Sequence, residues 1–238
     1  MGEKVKRVES RGVPVFFWGL IPAAFIIIQI LLEIFTPPQY LKPMHTEGGP
    51  HEALQFIIVA VCMPLAAYMA FKVKDVYLKL WLALCALGCF YIAGEEISWG
   101  QHIFGWTTPE FWSAVNDQNE TNLHNTSAWL DQKPRLLLFI GCVVGGIIVP
   151  ALRRWKPSAL PPRFSALYPS DILLPAALGV LLPYSVEEIA EHFYNAGMFH
   201  RVSEVQEIYI YYFIFLYLLD FKSRILSTKS YEKDNLSR

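Results

Sequence analysis

The sequence predicts an all-α, polytopic membrane protein, a single bundle of about six transmembrane helices. Three observations carry that expectation. Of the 238 residues, 54% are hydrophobic and only 17% charged, a membrane composition rather than a soluble one. The apolar residues gather into six runs, each able to cross a hydrocarbon layer of ~30 Å alone or with a short helical extension. Basic residues recur in every second connecting segment, as they do when a chain crosses a bilayer repeatedly. No internal repeat or low-complexity segment divides the chain, which reads as one membrane domain over 1–238.

The first span, about 13–35, follows Lys4, Lys6, Arg7 and Arg11. A positive flank and an apolar run also describe a signal peptide. This run is too long for one and lacks a small-x-small cleavage site, so an uncleaved span is expected. Pro37, Pro38, Pro43 and Gly48-Gly49-Pro50 form the next loop. The second span, about 53–71, is uncharged and is entered through His51 and Glu52; His45 and His51 read as surface histidines. Lys72, Lys74 and Lys79 mark a basic turn, and the third span, about 78–99, runs into Gly94-Glu95-Glu96-Ile97-Ser98-Trp99-Gly100-Gln101-His102.

Residues 104–134 are too polar to cross and read as an extracytoplasmic loop with a short interfacial helix. Thr107-Thr108-Pro109-Glu110 has the form of a helix start, with a hydroxyl cap and Pro at the first position. Phe111, Trp112 and Trp129 suit a segment lying at the membrane surface. The fourth span, about 136–152, carries Gly141, Gly145 and Gly146, which permit close helix contact. The fifth, about 172–192, must stay helical through Glu187, Glu188, Glu191 and His192 to cross. The sixth, about 202–221, starts with Glu204 and Glu207 and leads to a polar cytoplasmic tail, 222–238. Cys62, Cys85, Cys89 and Cys142 lie in apolar runs and read as buried small hydrophobes, not disulfides or metal thiolates.

Six spans place both termini on one side. Every Lys and Arg except Lys42, Lys133, Arg135 and Arg201 falls on that side, so both termini are expected in the cytoplasm and the chain in an inner membrane. The acids divide the other way. Glu33, Glu47, Glu52, Glu95, Glu96, Glu110, Asp117, Glu120, Asp131, Glu187, Glu188, Glu191, Glu204 and Glu207 all map to the outer side. Acids hardly take part in the positive-inside rule, so their clustering points to a shared polar site at the outer leaflet.

Within that site, Glu95, Ser98, Trp99 and His102 would share one face of a continuing helix, as would Glu188, Glu191 and His192. His200, Glu204 and Glu207 repeat the spacing if the last helix starts early. Glutamates at helix C-termini are opposed by the helix dipole, which favours a functional reading of Glu95 and Glu96 over solvated helix ends. Carboxylates and imidazoles facing one another in a bundle are how helical proteins hold divalent metals. Glu188, Glu191, His192, Glu204 and Glu207 are the expected metal ligands, and Glu95, Glu96 and His124 the catalytic candidates. Ser98, Trp99, Gln101, Asn116, Gln118, Glu120, Asn122 and Asn125 can donate or accept hydrogen bonds and are the candidate substrate-binding set.

The string Gly94-Glu95-Glu96-Ile97-Ser98-Trp99-Gly100-Gln101, then Asn116-x-Gln118-x-Glu120-x-Asn122-Leu123-His124-Asn125, resembles a family of small bacterial inner-membrane proteins with no assigned activity. An Arg commonly stands in that family's pattern where this chain has His102, which moves weight from His102 to Glu95, Glu96 and His124. The paired glutamates are also similar to those of intramembrane CAAX-type proteases, but Gly100 stands near the expected Arg and the later histidine motifs are missing. Ceramidase-like hydrolases share the residue types, yet their His-x-x-x-His element is absent.

Three functions fit these residues. The first is a metal-assisted hydrolase or transferase of a lipid or lipid-linked substrate, with a divalent ion activating water. The second is a proton- or cation-coupled transporter, which would need charge along the inner half of the spans, where the sequence reads as uncharged. The third is an accessory subunit of an envelope complex, with the loop as its docking surface. Membrane lipid and, in the third reading, a membrane-protein partner are the partners implied; nucleic acid is not.

Overall fold

Six helices long and apolar enough to span a membrane organise the chain: Phe16–Phe35, Pro50–Lys72, Val76–Glu96, Gln132–Trp155, Asp171–Tyr194 and Val202–Ile225. The computed structural model describes residues 12–44, 48–116 and 118–236, the side chains of 128, 131 and 226–236 excepted. Lys4, Lys6, Arg7, Arg11, His45, Glu47 and Asp117 lie outside the described residues, as do the side chains of Asp131 and of the chain end. Among the described residues there is no strand, and the protein is an all-α polytopic membrane bundle.

The first span opens with a π-turn, Phe16–Leu20, and continues as α1, Ile21–Phe35. Pro22 cannot donate to the carbonyls preceding it, and unsatisfied backbone groups are costly in lipid. Tyr212 Oη donates to Phe17 O at 2.6 Å and Tyr209 Oη to Pro22 O at 2.5 Å, so the last helix supplies donors there. A short helix, α2, Pro38–Met44, follows. His51, expected at the surface, is buried: Nδ1 lies 2.7 Å from Met44 O and Nε2 2.9 Å from Gln29 Oε1.

Helices α3, Pro50–Lys72, and α4, Val76–Glu96, form a tightly packed hairpin joined at Val73–Asp75. The Asp75 side chain caps α4 by accepting from Leu78 N. Two short helices, α5, Gln101–Phe104, and α6, Glu110–Val115, lie in the connecting loop. No hydroxyl caps α6, contrary to expectation, because Thr108 is engaged by Gln101 and Asn119 instead.

The fourth span joins α7, Ala128–Val143, to α8, Val149–Trp155, through a π-turn at Val144–Ile148. A Cβ on Gly146 would lie 2.4 Å from Ala177 Cβ, so this glycine permits the close packing, whereas Gly141 faces open space. Helix α9, Leu174–Tyr194, carries the fifth span. Helix α10, Val202–Leu236, packs against α3, α7 and α9, and 67% of its membrane window is buried, which makes it the central post. Its backbone stays helical through most of the expected tail.

The expectation of uncharged inner half-spans is corrected by Asp220, which has no exposed surface. It accepts from Ser170 N, Ser170 Oγ and Arg224 Nε at 3.1, 2.6 and 3.1 Å, tying α10 to the loop before α9. Outward-facing apolar side chains such as Ile27, Leu31, Leu84, Leu87 and Leu137 are exposed, as a lipid-facing surface requires. The four cysteines are free thiols.

Candidate functional site

Helix α4 ends at Glu96, so the expected helical face from Glu95 to His102 does not form. The backbone turns left-handed at Ser98 (φ 47°), Trp99 (φ 55°) and Gly100 (φ 107°). Two consecutive non-glycine residues in this region are strained locally and need surrounding contacts to hold them. The Trp99 indole folds back over Gly94, where a Cβ would sit 2.9 Å from the ring, and its Nε1 donates to Glu95 Oε1 at 2.7 Å.

The turn is then stitched to the loop. Ser98 Oγ donates to Glu120 Oε2 at 2.6 Å, and Asn122 Nδ2 donates to the same oxygen at 2.8 Å. His102 Nε2 lies 2.7 Å from Glu120 Oε1. Asn116 Nδ2 donates to Asn122 Oδ1 at 2.8 Å, while its Oδ1 accepts from Gln118 N and Glu120 N. Gln101 Oε1 accepts from Thr121 N at 2.8 Å, and Thr121 Oγ1 donates to Ser98 O at 2.7 Å. Ser98, Asn116, Glu120, Thr121 and Asn122 are all buried. Such a network, satisfied at each of these groups, rigidifies a unique arrangement.

Glu95 joins the two parts. Its Oε2 accepts from Leu123 N at 2.7 Å and His124 N at 2.8 Å, and lies 3.2 Å from His124 Nδ1. The same device recurs across the bundle: Glu187 Oε2 accepts from Met198 N and Phe199 N at 2.8 and 3.0 Å, fixing the turn between α9 and α10. Glu33 Oε1 accepts from His200 N at 3.0 Å, and Glu52 Oε2 from Gly48 N at 2.6 Å. Glu95, Glu187 and Glu33, toward the C-termini of their helices, thus bind loop amides, compensation that the dipole argument leaves out.

Beside this knot a cavity of about 250 Å³ opens between α3, α4, α7, α10 and the loop. Glu52, Gln55, Tyr91, Glu95, Glu96, Gln118, His124, Asn125, Arg135, Arg201, Glu204, Glu207 and Tyr211 are among its lining residues. Glu96 Oε1 accepts from Tyr211 Oη at 2.9 Å. Glu207 pairs with Arg135 at 2.8 Å and Glu204 with Arg201 at 3.0 Å. Gln55 Nε2 donates to Glu204 O and Oε2 at 3.2 and 3.1 Å and reaches Glu207 Oε2 at 3.5 Å.

The structure therefore sorts the expected residues into three groups. Glu95, Glu96, His124, Gln118, Asn125, Glu204 and Glu207 reach the cavity. Ser98, Gln101, Asn116, Glu120 and Asn122 are held in the knot, and Trp99 covers Gly94. Glu188, Glu191 and His192 stand exposed on α9, outside the cavity lining, and His200 precedes α10. Among the described residues no group of three or more His, Cys, Asp or Glu side chains is placed to hold a metal ion.

Gln55, Tyr211 and the two arginine pairs were not singled out by sequence. Gln55 carries a weak signal, a lone amide within an otherwise apolar span; Tyr211 is one ring in the aromatic run 211–213 and carries none. Comparison with protein-family models, curated proteins and solved structures finds no match.

Proposed function

We propose that the cavity binds the polar headgroup of a membrane-borne substrate and that the protein is a hydrolase or transferase acting on it, with Glu96 as general base. The observation that carries this reading is the position of Glu96. It is a half-buried carboxylate on the cavity wall, held by a phenol, while its neighbour Glu95 is committed to loop amides. A volume of about 250 Å³ falls just below the ~300–1,000 Å³ of pockets for drug-sized ligands, so it suits a headgroup with its chains left in the bilayer.

In this reading Glu96 takes the proton from the attacking water or acceptor hydroxyl, and Tyr211 orients its carboxylate. His124, turned by Glu95, returns a proton to the leaving group; Glu95 is a positioning residue. The Arg135 and Arg201 pairs hold the remaining polar atoms of the headgroup. The acidic end of the bundle faces outward and both termini face the cytoplasm, following the distribution of Lys and Arg, with the inner membrane as the location.

The surplus of carboxylates over arginines in the cavity also favours cation- or proton-coupled transport. Val59, Cys62, Leu82, Cys89 and Leu216, however, belong to one packed apolar core among the described residues, which favours the enzyme over a carrier. The test is turnover of a membrane lipid extract by purified protein, followed by mass spectrometry of the products. Wild type should alter the headgroup of one lipid class, and Glu96→Gln should lose at least ~100-fold of that rate, the scale of a general base. Proton-driven uptake into proteoliposomes without lipid turnover would replace this reading with the carrier.

A further inference from the structure

The cavity holds five glutamates, Glu52, Glu95, Glu96, Glu204 and Glu207, but only Arg135 and Arg201 as fixed cations among the described lining residues. An acidic lining alone selects nothing, since such groups also pair within the fold. Gln55 adds the selective feature. It has no exposed surface, lines the cavity from α3, and its amide orientation is set by its partners. The Nε2 group faces three acceptors, Glu204 O, Glu204 Oε2 and Glu207 Oε2, so the opposite atom must be the oxygen. That oxygen, Oε1, is buried and accepts no hydrogen bond within the described structure. A buried acceptor without a donor is an exception that calls for a partner.

The partner must supply N–H or O–H donors and positive charge together. A bare divalent ion fits poorly, because no three ligating side chains converge among the described residues. A quaternary ammonium carries charge but no N–H, and would leave Gln55 Oε1 as it is. A primary ammonium has charge and three donors in a compact tetrahedral group.

We propose that the cavity recognises a primary ammonium group, bound by Gln55 Oε1 together with the carboxylate of Glu204. The proposal rests on the reading of the cavity as a headgroup site and names the substrate class: an amine-bearing headgroup. The side chains of Arg135 and Arg201 are 25% and 39% exposed, so they stand nearer the mouth. There they meet the phosphate to which such an amine is attached, a geometry guanidinium groups favour. The amine sits inward and the phosphate outward, with acyl chains in the bilayer.

Two sources share this chemistry, an ethanolamine-type phospholipid and a free small amine. Delipidated protein would be offered an equimolar mixture of an ethanolamine phospholipid and its N-trimethylated counterpart, and retention read by native mass spectrometry. Free ethanolamine would be titrated separately by calorimetry. The ethanolamine lipid should be retained about tenfold over the trimethylated one, the effect of leaving a buried acceptor unmet. Gln55→Leu, close in size, should erase that preference while both lipids still bind.

Equal retention of the two lipids by wild type overturns the ammonium assignment and leaves the headgroup reading standing. Binding of free ethanolamine with neither lipid retained supports the ammonium site and overturns the lipid-linked substrate. Binding of none of the three overturns both. The wild-type comparison decides even if Gln55→Leu does not fold.

Discussion

At Glu95 both carboxylate oxygens are taken by donors that belong to the fold: the Trp99 indole on one, the Leu123 and His124 amides on the other. At Glu96, one residue on, the donor is Tyr211, and the carboxylate borders the cavity. Sequence treats the two as a pair because the helix dipole disfavours both equally. Only the fold shows that loop amides answer one of them. Glu187 repeats the point, since it too is an acid toward a helix C-terminus and accepts from the loop amides of Met198 and Phe199. His102 Nε2, 2.7 Å from Glu120 Oε1, ties the turn to the loop. The centre of the knot is Asn122, with no exposed surface and bonds to Ser98, Glu120 and Asn116. Asn122→Ala should destabilise the protein by about 2–3 kcal/mol, since it leaves buried partners unmet. Thermal unfolding in detergent checks this, and an unchanged midpoint would mean that the knot is not what orders the loop.

The elements themselves were legible because long apolar runs and their basic flanks report directly on membrane crossing. The predicted span of about 53–71 meets a helix at Pro50–Lys72, and that of about 172–192 a helix at Asp171–Tyr194. The break after Glu96 was not legible, because neither Ser nor Trp favours left-handed backbone. Their conformation is imposed by the Trp99 ring on Gly94 and by the loop bonds to Ser98, contacts that no local pattern encodes. The cavity was partly legible for a similar reason. Its acids could be mapped to one side, but Glu96 meets Tyr211 across 115 residues and Gln55 meets Glu204 across 149. Glycine spacing gave the fourth span as a packing element without saying which glycine packs. The structure singles out Gly146, where a Cβ would also lie 2.8 Å from the Phe213 ring. Gly146→Ala should destabilise by about 1–3 kcal/mol through overpacking, and Gly141→Ala, into open space, should be near neutral. Comparison of the two variants' unfolding midpoints is the measurement, and equal shifts would contradict this packing.

Across the whole molecule, one end gathers carboxylates around a cavity and the other holds the buried Asp220 with its Arg224 partner, with a packed apolar core among the described residues. That polarity predicts the sidedness: a membrane-impermeant thiol reagent should label Asn125→Cys from outside intact cells and Lys156→Cys only after permeabilisation, on a background lacking the native thiols. The reverse pattern would turn the bundle over and place the cavity in the cytoplasmic leaflet. The central claim is the division between the two neighbouring glutamates, and parallel measurement of stability and turnover for Glu95→Gln and Glu96→Gln tests it most directly. Glu95→Gln should lower stability by about 2 kcal/mol or more, because the amide keeps a single acceptor oxygen and must leave either the loop N–H groups or the Trp99 N–H facing its own NH2. Glu96→Gln should unfold close to wild type and lose turnover by at least ~100-fold. Equal stability losses in both variants, or full turnover in Glu96→Gln, would contradict the account.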